Sequence, residues 1–180
     1  MLLEIPDVLT PDEVRSMRDA LDSADWLDGK AKAGAQSAKA KRNQQLGETH
    51  PLAEKFGQRM LQNLAANAVF MSAALPQRIY PPDFNRYAAG HDFGYHVDNA
   101  IRPISGTRER VRTDLSANPF PVGFGKLRGG ELVVTGTLGN HAVKLPAGSM
   151  LLYLRTSIHR VEPATKGVRL ASFFWIKSLI

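Results

Sequence analysis

Five histidines stand in the chain, His50, His91, His96, His141 and His159, and there is no cysteine. A metal must therefore be held by His, Asp or Glu, and disulfides, thiolate sites and cysteine nucleophiles are excluded. One arrangement can do chemistry: Tyr95-His96-Val97-Asp98, then His159 far downstream, then Arg169. In an extended strand the side-chain period is two, so positions 96 and 98 place an imidazole and a carboxylate on one face. A third ligand, His159, from a strand distant in sequence completes a triangle and leaves the opposite coordination face open. That set suits a mononuclear Fe(II).

A lone His-x-Asp arises often by chance; Arg169 sharpens it. Pro163 to Gly167 reads as the turn between two antiparallel strands. Symmetric pairing about that turn sets Val161 opposite Arg169 and His159 opposite Ala171. Arg169 and His159 then share a face as diagonal neighbours, roughly 7–8 Å apart at the backbone. Such a gap suits a ligand that chelates the metal at one end and presents a carboxylate at the other, since the planar guanidinium fork binds a carboxylate through two parallel hydrogen bonds. The purely structural alternative is a buried ion pair between Asp98 and Arg169, because burying either charge alone is costly.

Other residues near the motif rank lower. Tyr87 and Asn99 are secondary candidates for contact with a co-substrate, and Tyr95 lies beside them. His91 and Asp92 read as part of a Gly-flanked loop. His141 and His50 have no partner at metal spacing and are expected at the surface, whereas Phe173 and Trp175 are expected in the core.

The elements that must position these residues divide at about residue 75. Thr10-Pro11-Asp12-Glu13 is a helix start, with Thr10 as N-cap and Glu13 completing a capping box. Val14, Met17 and Leu21 share one face of the helix that follows, which is expected to run to about Ala24. Residues 30 to 45 hold scarcely an apolar side chain larger than alanine and read as a loop. Leu52, Phe56, Met60, Leu64 and Ala68 recur at intervals of four and predict one helix from Leu52 to Met71. From Arg78 onward, short Val-, Leu-, Tyr- and Phe-rich runs alternate with Gly and Pro. The expected strands are Arg78 to Tyr80, Phe84 to Tyr87, Tyr95 to Asp98, Leu132 to Thr135, Ala142 to Leu145, Met150 to Leu154, His159 to Glu162 and Arg169 to Ile176. The expectation is a mostly β protein, with an N-terminal helical region over 1–75 and a jelly-roll (double-stranded β-helix) core over 76–180, whose closure removes open edges and leaves a mouth for a ligand.

Across the motifs Phe84-Asn85-Arg86-Tyr87, Gly94-Tyr95-His96-Val97-Asp98-Asn99-Ala100, Arg112-Thr113-Asp114-Leu115-Ser116, Gly129-Gly130-Glu131-Leu132, Leu145-Pro146-Ala147-Gly148 and His159-Arg160-Val161 with Arg169, the chain resembles the bacterial PKHD-type hydroxylases. Asp28-Gly29 and Asn43-Gln44-Gln45-Leu46 fit the same pattern. These are prolyl and lysyl hydroxylase-like Fe(II)/2-oxoglutarate-dependent dioxygenases. The resemblance implies a hydroxylase that releases succinate and carbon dioxide, with iron held by His96, Asp98 and His159. It implies further that Arg169 binds the distal carboxylate of 2-oxoglutarate and that L-ascorbate (vitamin C) is a supporting reductant. The chain departs from the family at Ala117 to Arg128, whose Pro119, Pro121, Gly123 and Gly125 predict an edge or a loop where an apolar strand is usual. It also ends at Ile180, where a short helical tail is usual.

Composition bounds the remaining readings. The chain has 180 residues, 43% of them hydrophobic and 22% charged, which fits a globular domain with an ordinary surface. The amino terminus lacks the basic and long apolar segments of a secretory signal, and no run of about 18 apolar residues occurs, so the expected address is the cytoplasm, without a membrane. The net charge of +6 gathers at Lys30, Lys32, Lys39, Lys41 and Arg42, and again at Arg102, Arg108, Arg110 and Arg112. Neither cluster carries interleaved aromatics, which favours a solvated or substrate-facing loop over a nucleic-acid surface. The expected partners are O2 and a small-molecule or amino-acid side-chain substrate, and self-association into a homo-oligomer is compatible with the chain. The rival class is a cupin-like barrel that binds a metal or ligand without oxidation; Arg169 argues against it.

Overall fold

The computed structural model describes residues 1–32, 39–47, 49–104, 106–120, 127–136 and 139–180. The expected mostly β architecture with N-terminal helices is present, arranged as two antiparallel sheets with the helices on the outer face of the larger one. The larger sheet runs Leu2–Ile5, Met150–Leu154, Leu115–Pro119, Arg169–Ser178, Asp83–Tyr87, Gln44–Gln45, Leu27–Asp28, with Pro76–Ile79 also paired to Arg169–Ser178. The smaller runs Gly139–Val143, Leu132–Gly136, Ile158–Val161, Asp92–His96, Lys41–Arg42.

Strand Arg169–Ser178 shows how the layers are built. It is buried along nearly its whole length, as its near-continuous apolar sequence requires. Leu170, Phe174 and Ile176 join the clusters beneath the helices, while Arg169, Phe173 and Trp175 alternate to the other face, towards the smaller sheet. Leu151 and Tyr153 meet Leu132, Val134 and Val161 of the smaller sheet in the space between the layers. The site lies in that space.

The helices follow from local signals. Thr10 accepts from the Glu13 amide and Glu13 accepts from the Thr10 amide, so both members of the capping box are made. That helix, Pro11–Asp22, ends two residues short of Ala24 and buries Met17 and Leu21. The single helix expected from Leu52 to Met71 is instead two, Pro51–Ala65 and Ala68–Ala74. Asn67 interrupts them by capping the second, its side chain accepting from the Phe70 amide at 2.9 Å. A short polar side chain that serves the backbone better as a cap than inside a helix explains the break. Phe56 packs edge-on against Phe84 at 6.4 Å, seating the longer helix on the sheet.

Three further expectations are corrected. Within the expected loop 30–45, Lys41–Arg42 is a short strand at the edge of the smaller sheet, Gln44–Gln45 is a short strand of the larger one between Asp83–Tyr87 and Leu27–Asp28, and 33–38 lie outside the described residues. Lys41 and Gln45 are buried and satisfy each other, Lys41 Nζ donating to Gln45 Oε1 at 2.9 Å, a pairing that composition does not reveal. Ala117 to Pro119 belong to an interior strand, not to an edge or a loop; Pro119 is its last residue, facing Met150, and pairing with Arg169–Ser178 stops at Ala117. Proline is thus tolerated where one neighbour has already ended. Pro121, Gly123 and Gly125 lie outside the described residues. Lastly, Ile158–Val161 and Arg169–Ser178 are not a hairpin: the former pairs with Leu132–Gly136 and Asp92–His96 in the smaller sheet, the latter lies in the larger one. The segment between them crosses from layer to layer, and Ala164–Lys166 within it pairs with Arg128–Gly129. No helix of the described residues is long and apolar enough to cross a membrane.

Candidate metal and co-substrate centre

His96 and His159 are direct partners across neighbouring antiparallel strands. Directly opposite residues bring their side chains together, and the two imidazole centroids stand 4.1 Å apart. Strand pairing ends at His96, so Asp98 lies just beyond the strand and not within it as expected, yet its carboxylate turns back to the same point. His159 Nε2 is 3.8 Å from Asp98 Oδ2, and one ligand atom from each of the three residues lies within 4.8 Å of the others. Among the described residues this is the group of three that can hold a metal ion.

Neighbouring groups set the protonation and direction of each ligand. His96 Nδ1 is 2.7 Å from the Gly94 carbonyl, and His159 Nδ1 is 3.0 Å from the Ser157 carbonyl. A carbonyl only accepts, so each Nδ1 carries the proton and each Nε2 keeps its lone pair for a metal. Burial, and next the adjacent His159, push His96 down to about 4, which keeps the ring neutral at physiological pH. Phe93 stacks on His96 at 3.6 Å, and Tyr153 meets His159 edge-on at 5.2 Å, so both rings are fixed by packing. Ser116 Oγ donates to Asp98 Oδ2 at 2.5 Å, and the Arg155 guanidinium reaches the Asp98 carbonyl at 3.4 Å. Two imidazoles and one carboxyl group converging on one point make a donor set suited to a divalent cation.

The triad lines a cleft of about 80 Å³, open to solvent, whose walls include Tyr87, Asn99, Ser116, Tyr153 and Trp175. Next to the Tyr87 wall lies Arg169, 3% exposed, with its guanidinium 5.2 Å from the Tyr87 ring and 5.4 Å from the Phe120 ring. Its Nε and Nη2 are buried without a hydrogen-bond partner. Burial pulls its pKa down, but an arginine starts so high that it stays cationic. The structural alternative of an Asp98–Arg169 ion pair is therefore absent. Asp98 is engaged by Ser116 and faces His159, while Arg169 is a buried cation with Nε and Nη2 unused and the charge of Glu131 acting on it without a hydrogen bond, a costly arrangement. A dicarboxylate that chelates a metal at one end and needs a cationic anchor at the other fits these donors.

The lesser candidates separate. Tyr87 is buried in the cleft wall, its hydroxyl 3.4 Å from Asn85 Nδ2. Asn99 lines the cleft, and its carbonyl accepts from Thr113 Oγ1. Tyr95 is 58% exposed and its hydroxyl contacts Arg160, away from the metal ligands. His91 accepts from the Ala88 amide, and Asp92 pairs with Arg42. His50 caps the helix Pro51–Ala65 by accepting from the Leu52 amide. Trp175 is buried as expected, while Phe173 lines the cleft. Sequence reasoning missed Ser116 as the support of Asp98, and missed Phe93 and Tyr153 as packing for the two rings. Ser116 sits in the Arg112-Thr113-Asp114-Leu115-Ser116 motif, a signal that was visible without its reason.

Comparison with known proteins agrees with this geometry. Residues 82–177 match the family model of the 2OG-Fe(II) oxygenase superfamily. The whole chain aligns with a PKHD-type hydroxylase of Bordetella pertussis at 57% identity, covering 80% of that relative. It aligns equally fully with the PKHD-type hydroxylase PiuC of Pseudomonas aeruginosa at 54% identity, again covering 80% of it. Among solved structures, a Pseudomonas putida prolyl-4-hydroxylase superposes with TM-score 0.66 at 19% identity, over 98% of this chain and 92% of that one. HygX from Streptomyces hygroscopicus, solved with nickel, 2-oxoglutarate and hygromycin B bound, superposes with TM-score 0.65 at 15% identity, over 99% and 83%. At such identities these structures speak for the fold alone.

Proposed function

Because this chain belongs to the 2OG-Fe(II) oxygenase superfamily, and within it to the PKHD-type hydroxylases, we propose that His96, Asp98 and His159 hold its iron and Arg169 its 2-oxoglutarate. The protein is an Fe(II)- and 2-oxoglutarate-dependent dioxygenase acting on a small molecule or an amino-acid side chain. Bound in the cleft, the metal and co-substrate supply the oxidising power: O2 is consumed, 2-oxoglutarate leaves as succinate and carbon dioxide, and a substrate C–H bond becomes C–OH. The chain's own residues do the rest. The two Nδ1–H bonds to backbone carbonyls aim Nε2 of each histidine, and Ser116 holds the carboxylate of Asp98. The apolar walls around Tyr87, Leu132 and Val161 exclude water from the reacting atoms. Tyr87 backs the guanidinium of Arg169, and Asn99 contacts the bound ligand from the cleft wall.

In this reading residues 1–75 form a helical region packed on a catalytic barrel of 76–180. Ascorbate restores iron that has become oxidised, and the cytoplasm is the compartment. A small molecule or an amino-acid side chain fits this reading better than nucleic acid does, and a homo-oligomer is compatible with it.

The observation that carries the proposal is the buried Arg169, whose Nε and Nη2 have no hydrogen-bond partner, behind the Tyr87 wall of the cleft that the triad lines. Arg169→Gln tests it. Losing one partner of a desolvated charge pair costs about 2–5 kcal/mol, so the 2-oxoglutarate requirement should rise roughly 30-fold to a few thousandfold, with Fe(II) binding spared. A 2-oxo acid lacking the distal carboxylate should distinguish far less between wild type and variant. If Arg169→Gln uses 2-oxoglutarate as well as the wild type does, Arg169 is not the anchor.

A further inference from the structure

A second guanidinium reaches the same cleft. Arg102 lies in strand Ile101–Pro103, which pairs with Arg110–Arg112 so that Arg102 faces Val111. Val111 is fully buried, whereas Ile101, Pro103, Arg110 and Arg112 are exposed, so positions 102 and 111 are the inward pair of this ribbon. An arginine stands where the pattern calls for an apolar side chain.

Arg102 lies with its guanidinium carbon 4.2 Å from the Trp175 ring and 5.5 Å from the Tyr80 ring. Tyr80 and Phe173 each meet Trp175 edge-on at 5.4 Å, which makes a fixed aromatic cradle. Stacking on a ring uses the face of the guanidinium and leaves its in-plane N–H donors for a ligand. Those donors are not consumed within the protein: Nε of Arg102 is buried with no hydrogen-bond partner, and the residue has no acidic partner among the described residues. The other arginines of this cluster differ. Arg112 pairs with Asp114, and Arg108 and Arg110 are exposed. Arg102 lines the cleft together with His96, Asp98, His159 and Trp175.

We propose that Arg102, held over Trp175 and beside Tyr80, binds a carboxylate of the primary substrate, so that this enzyme hydroxylates a carboxylate-bearing molecule. The inference rests on the reading that Arg169, on the Tyr87 side of the cleft, takes the co-substrate; Arg102 then supplies a separate anion site on the Trp175 side. A substrate gripped at that end by a planar fork presents a neighbouring C–H bond towards the metal.

The test uses binding and needs no turnover. The full chain is loaded with Mn(II), which is redox-inert here, and with saturating 2-oxoglutarate. Phenylacetate and its uncharged analogue phenylacetamide are then titrated, with Mn(II)-induced relaxation of the probe's ring protons reporting their approach to the metal. Phenylacetate should bind at least about tenfold more tightly than the amide, with relaxation enhanced. Arg102→Gln should erase that preference while amide and 2-oxoglutarate affinities stay within about twofold, which also shows that the variant is folded. Arg102→Lys should restore part of the preference as a point charge. Equal binding of acid and amide by the wild type, a preference that survives in Arg102→Gln, or displacement of phenylacetate by 2-oxoglutarate would each overturn the proposal. Failure of the wild type to retain Mn(II) or 2-oxoglutarate would instead strike the assignment of the triad and Arg169.

Discussion

Ser116 donates its hydroxyl to Oδ2 of Asp98 at 2.5 Å, from a strand of the larger sheet to a ligand just beyond a strand of the smaller one. The bond ties the two layers together at the proposed metal position. It also restrains the carboxylate, the one proposed ligand of the three that stands outside regular structure.

Removing that bond should loosen the metal. Partners that orient a ligand typically contribute roughly 10–100-fold in metal affinity, so Ser116→Ala is expected to weaken Fe(II) by that factor. Anaerobic titration measures it. Unchanged affinity would show that Asp98 holds its direction unaided.

Asp98→Asn should remove iron binding and succinate formation yet leave the apo-protein's melting temperature nearly unchanged. The reason is that Asp98 makes no ion pair with Arg169, and asparagine keeps an acceptor for Ser116. Had the two charges been paired, breaking them would cost about 3–5 kcal/mol. Thermal unfolding of metal-free protein, with bound iron by elemental analysis, separates the two cases; a large fall in apo-stability would contradict the geometry described.

The ion pair of Arg42 with Asp92 joins edge strand Lys41–Arg42 to the strand carrying His96. The Arg42 hydrogen bond holds Asp92 below its ordinary value. A carboxylate depressed in the folded state contributes stability that is present above its unfolded value of 3.8 and lost as pH falls through the folded one. Arg42→Gln should therefore lower the urea midpoint slightly at neutral pH, and the difference from wild type should shrink on acidification. High salt should shrink it as well. A difference that grows as pH falls would reverse the assignment.

Gly148 has φ +89°, and a Cβ there would come 2.4 Å from the Leu9 carbonyl oxygen. That turn anchors the segment before the first helix, since the Leu9 amide donates to the Gly148 carbonyl. Gly148→Ala should cost about 1–3 kcal/mol from backbone strain alone, with the carbonyl contact adding to it. Denaturant unfolding checks the loss, and iron bound per folded molecule should not change, because the turn is remote from the triad.

Much of the proposed site was legible in the chain. Residue type restricted the ligands to His, Asp and Glu, the His-x-Asp spacing with His159 and Arg169 singled out four residues, and the Thr10 to Glu13 signature placed the first helix. Those readings rest on local chemistry, which a few consecutive residues carry whole. The layer to which each strand belongs was settled only in three dimensions. Arg169 and His159 were expected to share a hairpin face and instead stand in opposite sheets. Alternation fixes which residues of a strand share a face, but strand neighbours are chosen by contacts far apart in sequence. The same limit hid Ser116 behind Asp98. Arg102 read as one basic residue among four until the ribbon 101–112 turned it inward against Trp175. An arginine's charge is plain from its sequence, but whether anything answers that charge depends on the acids and rings that folding places around it.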